Sequence, residues 1–411
     1  MAVETTRADE ASAHRIPSLD GLRALSIFLV LALHSLQRLE VNGPISYLWV
    51  GIFNGATGVF IFFVISGYLI TSLLLREHEK RGSISLRGFY FRRAMRILPP
   101  LYVYVGVLLL LGLAGRLPIF KLDIISALFF FHDYALSLMW PLEHFWSLSI
   151  EEQFYLIWPL LLLYCLRIPG PEGRSKASKI AIAIILMAPI VRVVSFTLAR
   201  HTVLHNSYGF HFHADSLMFG CLLALVQGTP VFERLYNYAT KIWWIPPAAI
   251  VLSDCLSARY QNYWDFPVGM TFCGVAISFF LLWCVRNPTS VVGRILNSRL
   301  IAHIGVLSYS IYIWQTLFLN PSNVSLFGPS LKLLYTLPFS WLAILIVAEL
   351  SYYVVERPSL RLRTHLIKSF GLYAQNRRTR QAIIVSADPT ISSATSGSSA
   401  TPKTGNRPTL Q

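Results

Sequence analysis

Arg23 and His34 stand eleven residues apart in SLDGLRALSIFLVLALHS, an otherwise apolar stretch. In a helix that spacing is about three turns, so the two side chains share a face and lie ~16 Å apart along the axis. A histidine takes or gives a proton near neutral pH, which makes His34 a candidate general base for a hydroxyl substrate. Arg93 and Arg96 lie one helical turn apart in the basic stretch REHEKRGSISLRGFYFRRAMRILPP, residues 76–100. With Arg23 at the same membrane level, they could clamp a polyphosphate, so that a phosphate-bearing donor enters there. The same charges also suit topology signalling and lipid-headgroup contact, and the residue types leave both readings open.

The elements that must position these side chains follow from composition. Of 411 residues, 54% are hydrophobic and 13% charged, too little polar surface to cover a water-soluble domain. Runs such as VFIFFVISGYLITSLLL (59–75) and LYVYVGVLLLLGLAG (101–115) approach the ~20 residues a helix needs to cross ~30 Å of hydrocarbon. The chain is therefore read as all-α, a polytopic membrane protein with about ten transmembrane helices. They are expected near 19–37, 55–75, 98–115, 148–166, 180–198, 212–227, 242–257, 267–285, 301–319 and 332–355. The formal charge of +15 could suit nucleic acid, but the basic residues are scattered in short loops between spans, so the expected partner is the bilayer and no nucleic acid.

One stretch, 122–138, is apolar but short and contains Asp123, His132 and Asp133. Charge decides against its crossing. With ten spans and a cytoplasmic N-terminus, the outside segments carry only Arg38, Arg116, Lys121, Arg200 and Arg259. Apart from Arg23, Arg192 and Lys332, which fall in spans, the rest of the 35 Lys and Arg then lie inside. An eleventh span would put the basic loop 167–179 outside. Both termini are thus expected to be cytoplasmic. Residues 1–17 form a polar N-terminal segment without the order of a cleaved signal, 18–365 the transmembrane domain, and 366–411 a Ser/Thr/Pro/Gly-rich tail expected to be disordered. The five cysteines sit in apolar runs without CxxC spacing and read as small core residues; neither disulfide nor metal is expected.

An ionisable group inside a span is costly and so a functional candidate. Rise per residue places Glu151, Arg192, Asp215 and Gln315 in roughly the outer third of the bilayer, at about the depth of His34. A carboxylate such as Glu151 or Asp215 could orient the His34 ring. The plainer alternative is that these groups pair only to hold helices together. Most aromatic residues near span ends fit an interfacial belt, with Trp146 the candidate for more. The SGY at 66–68 could bring backbone close to a ligand, or serve helix packing.

Taken in order, DGLRALSIFLVLALH (20–34), FFVISGYLIT (62–71), FRRAMRILP (91–99), HFWSLSIEEQFYLIWP (144–159), ADSLMFGCLLA (214–224), SYSIYIWQ (308–315) and ERP (356–358) resemble the acyltransferase-3 family. The resemblance covers nearly the whole chain to about residue 365, and rests on seven weak motifs in the right order. It implies a membrane O-acyltransferase, with an acyl-coenzyme A as donor, often acetyl, no metal, and a hydroxyl acceptor such as a carbohydrate, an envelope polymer or a small molecule. It implies a bacterial inner membrane as location. Arg23 and His34 match the family's Arg-x10-His, Arg93 and Arg96 its Arg-x-x-Arg, and Trp146, Ser147 and Glu151 its WSLxxE. On this resemblance His34, Glu151 and Asp20, which heads the first motif, are the catalytic candidates. Arg23, Arg93 and Arg96 would bind the donor, and Trp146, Arg192, Asp215 and Gln315 the acceptor. Two positions depart from the pattern: His213 stands where an arginine is frequent, and Gln315 where a histidine is. A transporter or flippase of a glycan or lipid intermediate is the alternative from another class, since many spans and buried polar groups suit a transport path too. An inactive relative acting as a scaffold is a third.

Overall fold

The computed structural model describes residues 16, 18–36, 44–135, 139–198, 208–320, 326 and 328–367. All regular structure among them is helical. In chain order the helices are α1 (Leu19–Leu36), α2 (Pro44–Ile52), α3 (Gly55–Arg81), α4 (Leu86–Leu113), α5 (Lys121–Leu128), α6 (Phe145–Leu166) and α7 (Pro171–Leu198). Then come α8 (Phe210–Val226), α9 (Pro230–Lys241), α10 (Ile245–Tyr260), α11 (Asn262–Arg286, with a π turn at Asp265–Gly269) and α12 (Val291–Leu296). They are followed by α13 (Arg299–Trp314), α14 (Thr316–Leu319) and α15 (Phe339–Ser351), which a π turn, Tyr352–Glu356, extends. The chain divides after Glu356 into two compact units; the second is described only over 357–367, where it is helical. The N-terminal segment before Ile16, the tail beyond 367, Arg38 and Arg200 lie outside the described residues.

Each of the ten expected spans has a helix over it. Among the described residues, five helices suffice by length and apolarity to cross a membrane: Tyr47–Arg81, Leu86–Leu113, Pro171–Leu198, Asn262–Arg286 and Phe339–Ile367. A sixth is added if α8 and α9, bent by 115° at their break, count as one broken span. Over its described residues, to 135, the stretch 122–138 holds the eight-residue α5 and a short 3-10 turn, His132–Tyr134, each far short of the bilayer. The basic stretch 76–100, expected as a loop, is instead the end of α3 and the start of α4. α3 has 27 residues and α4 has 28, each about 40 Å long against ~30 Å of hydrocarbon. Their surplus turns carry the basic residues, and the chain reverses between Gly82, left-handed at φ 68°, and Ser85, whose hydroxyl caps α4 at the Gly88 amide.

Burial separates the helices by role. The apolar window of Tyr47–Arg81 is 83% buried, whereas those of α4 and α7 are 33% and 22% buried. α3 is therefore the core helix, and α4 and α7 turn leucines such as Leu110, Leu113, Leu186 and Leu198 outward, as a lipid solvent permits. Small residues let the backbones meet. A Cβ on Gly67 would strike the Leu217 carbonyl oxygen, and one on Gly220 the Val64 carbonyl oxygen, so α3 and α8 touch backbone to backbone. The SGY element thus serves packing. Gly305 lies in the same way against the Asp20 carbonyl, and Gly21 against Leu296, which seats the start of α1 on α13 and α12. All five cysteines are free thiols, four of them buried.

Candidate active site

Three arginines meet at one cavity of about 740 Å³ among α1, α3, α4, α6 and α13. α1 contributes Arg23, and α4 contributes Arg93 and Arg96 from one face of adjoining turns. Arg23 reaches Asp20 at 3.1 Å, and the Arg93 guanidinium lies over the Tyr155 ring at 4.4 Å. Neither Arg93 nor Arg96 has a carboxylate at ion-pair distance among the described residues. Glu151 lines the same cavity, but its carboxylate already accepts from the Ser66 and Tyr155 hydroxyls. Three guanidiniums and one lining carboxylate leave the cavity walls net cationic. The guanidiniums repel one another until an anion shares the site. Its chemistry suits several phosphate oxygens.

A second cavity of about 900 Å³ surrounds His34, at the last turn of α1. Its walls include His144, Trp146, Tyr208, Tyr312 and Thr316. The partner that orients His34 is Gln315, whose side-chain oxygen lies 3.3 Å from Nδ1. Gln315 is fully buried where α13 breaks into α14, and its Nε2 has no partner among the described residues. With the amide oxygen facing Nδ1, that nitrogen carries the proton and Nε2 keeps the lone pair a general base needs. The departure from the family pattern at Gln315 thus falls on a residue touching the central histidine. His213, the other departure, stacks among Phe60, Phe63 and Trp146, with ring centroids 5.6, 6.0 and 5.0 Å away.

The single polar layer expected around His34 divides into three places. Gln315 and Trp146 join His34 in its chamber. Glu151, expected to orient the histidine, stands in the arginine cavity with its carboxylate held by Ser66 and Tyr155. Asp20, fourteen residues before His34 and so ~21 Å away along α1, pairs with Arg23 and is too far to act on the same atoms. Arg192 and Asp215, expected among the acceptor-binding residues, pair with each other. Both are wholly buried, and the guanidinium meets the carboxylate through two bonds of 3.1 and 2.9 Å. Arg192 also donates to the Phe212 and Phe266 carbonyls at 2.8 and 3.1 Å and to the Thr271 hydroxyl. The guanidinium is consumed in tying α7 to α8 and α11, with nothing left for a ligand.

Several site residues escaped sequence reasoning. Tyr155 follows Glu151 by four residues, one helical turn, and was readable from spacing. His144 precedes Trp146 by two. Ser66 lies in the SGY element, singled out for its backbone, and Tyr312 in the SYSIYIWQ motif, but a hydroxyl in a span reads as ordinary packing and neither side chain stood out.

Fold and site together define an all-α integral membrane protein with two polar cavities built from facing helices. The family model described as "Acyltransferase domain" matches residues 16–352, and the chain belongs to that family. It is 31% identical over 380 residues to the peptidoglycan O-acetyltransferase OatA of Listeria monocytogenes, covering 86% of this chain and 57% of that protein. To the O-acetyltransferase OatA of Staphylococcus aureus it is 28% identical over 387 residues, covering 88% and 59%. The chain thus spans less than three fifths of the length of these relatives. No solved structure matches it significantly.

Proposed function

We propose that this chain moves an acyl group, acetyl in the first instance, from a cytoplasmic acyl-coenzyme A to a hydroxyl of an envelope carbohydrate. The observation that carries the reading is the pair Arg93 and Arg96, with no carboxylate at ion-pair distance among the described residues, facing a cavity next to the His34 chamber. In this reading the donor's phosphates lie against Arg23, Arg93 and Arg96, and its arm follows α1 for ~16 Å to His34. The basic ends of α3 and α4 favour a cytoplasmic side for the arginine cavity, and the reading takes the membrane to be an inner membrane with both chain termini on that side. The acceptor reaches the histidine from the other side, beside Trp146.

His34 Nε2 takes the proton of the acceptor hydroxyl while Gln315 holds the ring through Nδ1. The acceptor oxygen attacks the thioester carbonyl, a C–O bond forms, and the C–S bond breaks. The leaving thiolate takes the proton from His34, so the products are an ester and free coenzyme A, and the histidine returns to its starting state. Both relatives named above are O-acetyltransferases by name, and one is a peptidoglycan O-acetyltransferase, which favours transfer over transport and a carbohydrate over other hydroxyl acceptors.

Acetyl-coenzyme A binding to the purified protein, read as a shift in thermal unfolding, tests the reading. The parent and His34→Ala are expected to be stabilised, Arg93→Ala and Arg96→Ala much less, and His34→Ala to transfer no acetyl group. Full transfer by His34→Ala, or equal stabilisation of the arginine variants, would overturn it.

A further inference from the structure

Two residues, Val59 and Tyr312, line both cavities. Three helices pass from one cavity to the other in parallel order. On α1 the sequence runs from Arg23 to His34. On α3 it runs from Ser66 through Val59 to Gly55, and along α13 into α14 from Ser308 through Tyr312 to Thr316. In each of the latter two the shared residue stands between a side chain of the arginine cavity and one of the His34 chamber, within ~12 to 17 Å of helix. Phe63 of the first cavity meets Trp146 of the second edge to face at 6.4 Å. The Tyr312 hydroxyl donates to the His144 carbonyl at 2.8 Å and lies 2.5 Å from the Ser147 hydroxyl, which fixes the ring across the boundary.

We propose that Val59 and Tyr312 form the passage between the two cavities, the neck through which the thioester arm of the donor enters the His34 chamber. The proposal rests on the acyl-transfer reading above and adds to it the residues that position the donor's reacting end. Tyr312 forms the polar side of the neck, held by Ser147 and His144, and Val59 the apolar side. An arm threaded here would pass with its methylenes against Val59 and its amide groups within reach of the Tyr312 and Ser147 hydroxyls. Neither residue touches the transferred atoms, so both are positioning residues.

The test uses Val59→Cys in the full chain, a change to a somewhat smaller apolar side chain, with the Tm of the untreated variant as the check on its fold. After folding, the introduced thiol is alkylated with N-ethylmaleimide. None of the native cysteines lines either cavity, and the treated parent is the control. Alkylation is expected to lower acetyl transfer about 100-fold relative to the same variant before treatment. Stabilisation by adenosine 3′,5′-bisphosphate, which lacks the arm, should persist, and bound acetyl-coenzyme A should slow the alkylation. Transfer unchanged by alkylation, or alkylation at the same rate with and without acetyl-coenzyme A, overturns the passage. If neither nucleotide stabilises the parent, the donor reading has failed and the passage falls with it. Loss of transfer together with loss of bisphosphate binding points to general disruption of the site and also counts against the passage.

Discussion

Replacing Arg192 by Met would separate a structural strut from a ligand-binding residue. The substitution removes the guanidinium and leaves Asp215, wholly buried, facing only the Thr271 hydroxyl and neighbouring backbone. Breaking a buried pair from one side costs about 3–5 kcal/mol, because the remaining charge loses its partner without regaining water. Two carbonyls, of Phe212 and Phe266, also lose their donor, which places the cost at the upper end. At ~2 °C per kcal/mol for a chain of this size, the apparent Tm in detergent should fall on the order of 10 °C. The double variant Arg192→Met with Asp215→Leu removes the orphaned charge and should recover more than half of that loss, since a buried pair and an apolar replacement are often close in energy. Acetyl transfer per folded molecule should be near parental in the double variant. A single variant that keeps the parental Tm while losing transfer would refute the strut and return Arg192 to the acceptor site.

Other expectations are equally specific. Gly67→Ala and Gly220→Ala each force a methyl into a facing carbonyl oxygen between α3 and α8, and each should cost about 1–3 kcal/mol in thermal unfolding, with the double variant less than additive. Gln315→Leu should leave acetyl-coenzyme A stabilisation intact and lower kcat roughly 10- to 100-fold, because the His34 ring loses the partner at its Nδ1; unchanged kcat would remove Gln315 from the site. Asp133 lies in the folded piece outside the spans, and burial pushes its carboxyl up to about 6, against the opposing hydrogen bonds from Gln153 and the Phe210 amide. A carboxyl raised above its ordinary 3.8 disfavours the folded state once ionised, so stability is lost as pH rises from ~4 through ~6. The parent should therefore lose about 3 kcal/mol relative to Asp133→Asn across that window, read as the difference between their Tm profiles. Parallel profiles would show that Asp133 titrates normally.

The one-dimensional information was strong where a property belongs to a single helix. Composition and run length establish an all-α membrane protein, because hydrocarbon tolerates little else. The spacing of Arg23 from His34, and of Arg93 from Arg96, sets which side chains share a face, because one helix's geometry is rigid. Length also explains the basic stretch once α3 and α4 are seen to outrun the bilayer. Tertiary structure decided everything that joins two helices. Rise per residue yields depth but neither the direction a side chain points around its axis nor the helix it meets, and five groups at one depth therefore looked like one layer. The folded chain sends Glu151 to the arginine cavity, ties Arg192 to Asp215, and brings Gln315 to His34 across 281 positions. Those choices follow from close backbone contacts at Gly67, Gly220, Gly21 and Gly305, which set the rotation and neighbour of each helix. A small residue's role in such a contact depends on its opposite number far along the chain, so it is written in no local pattern.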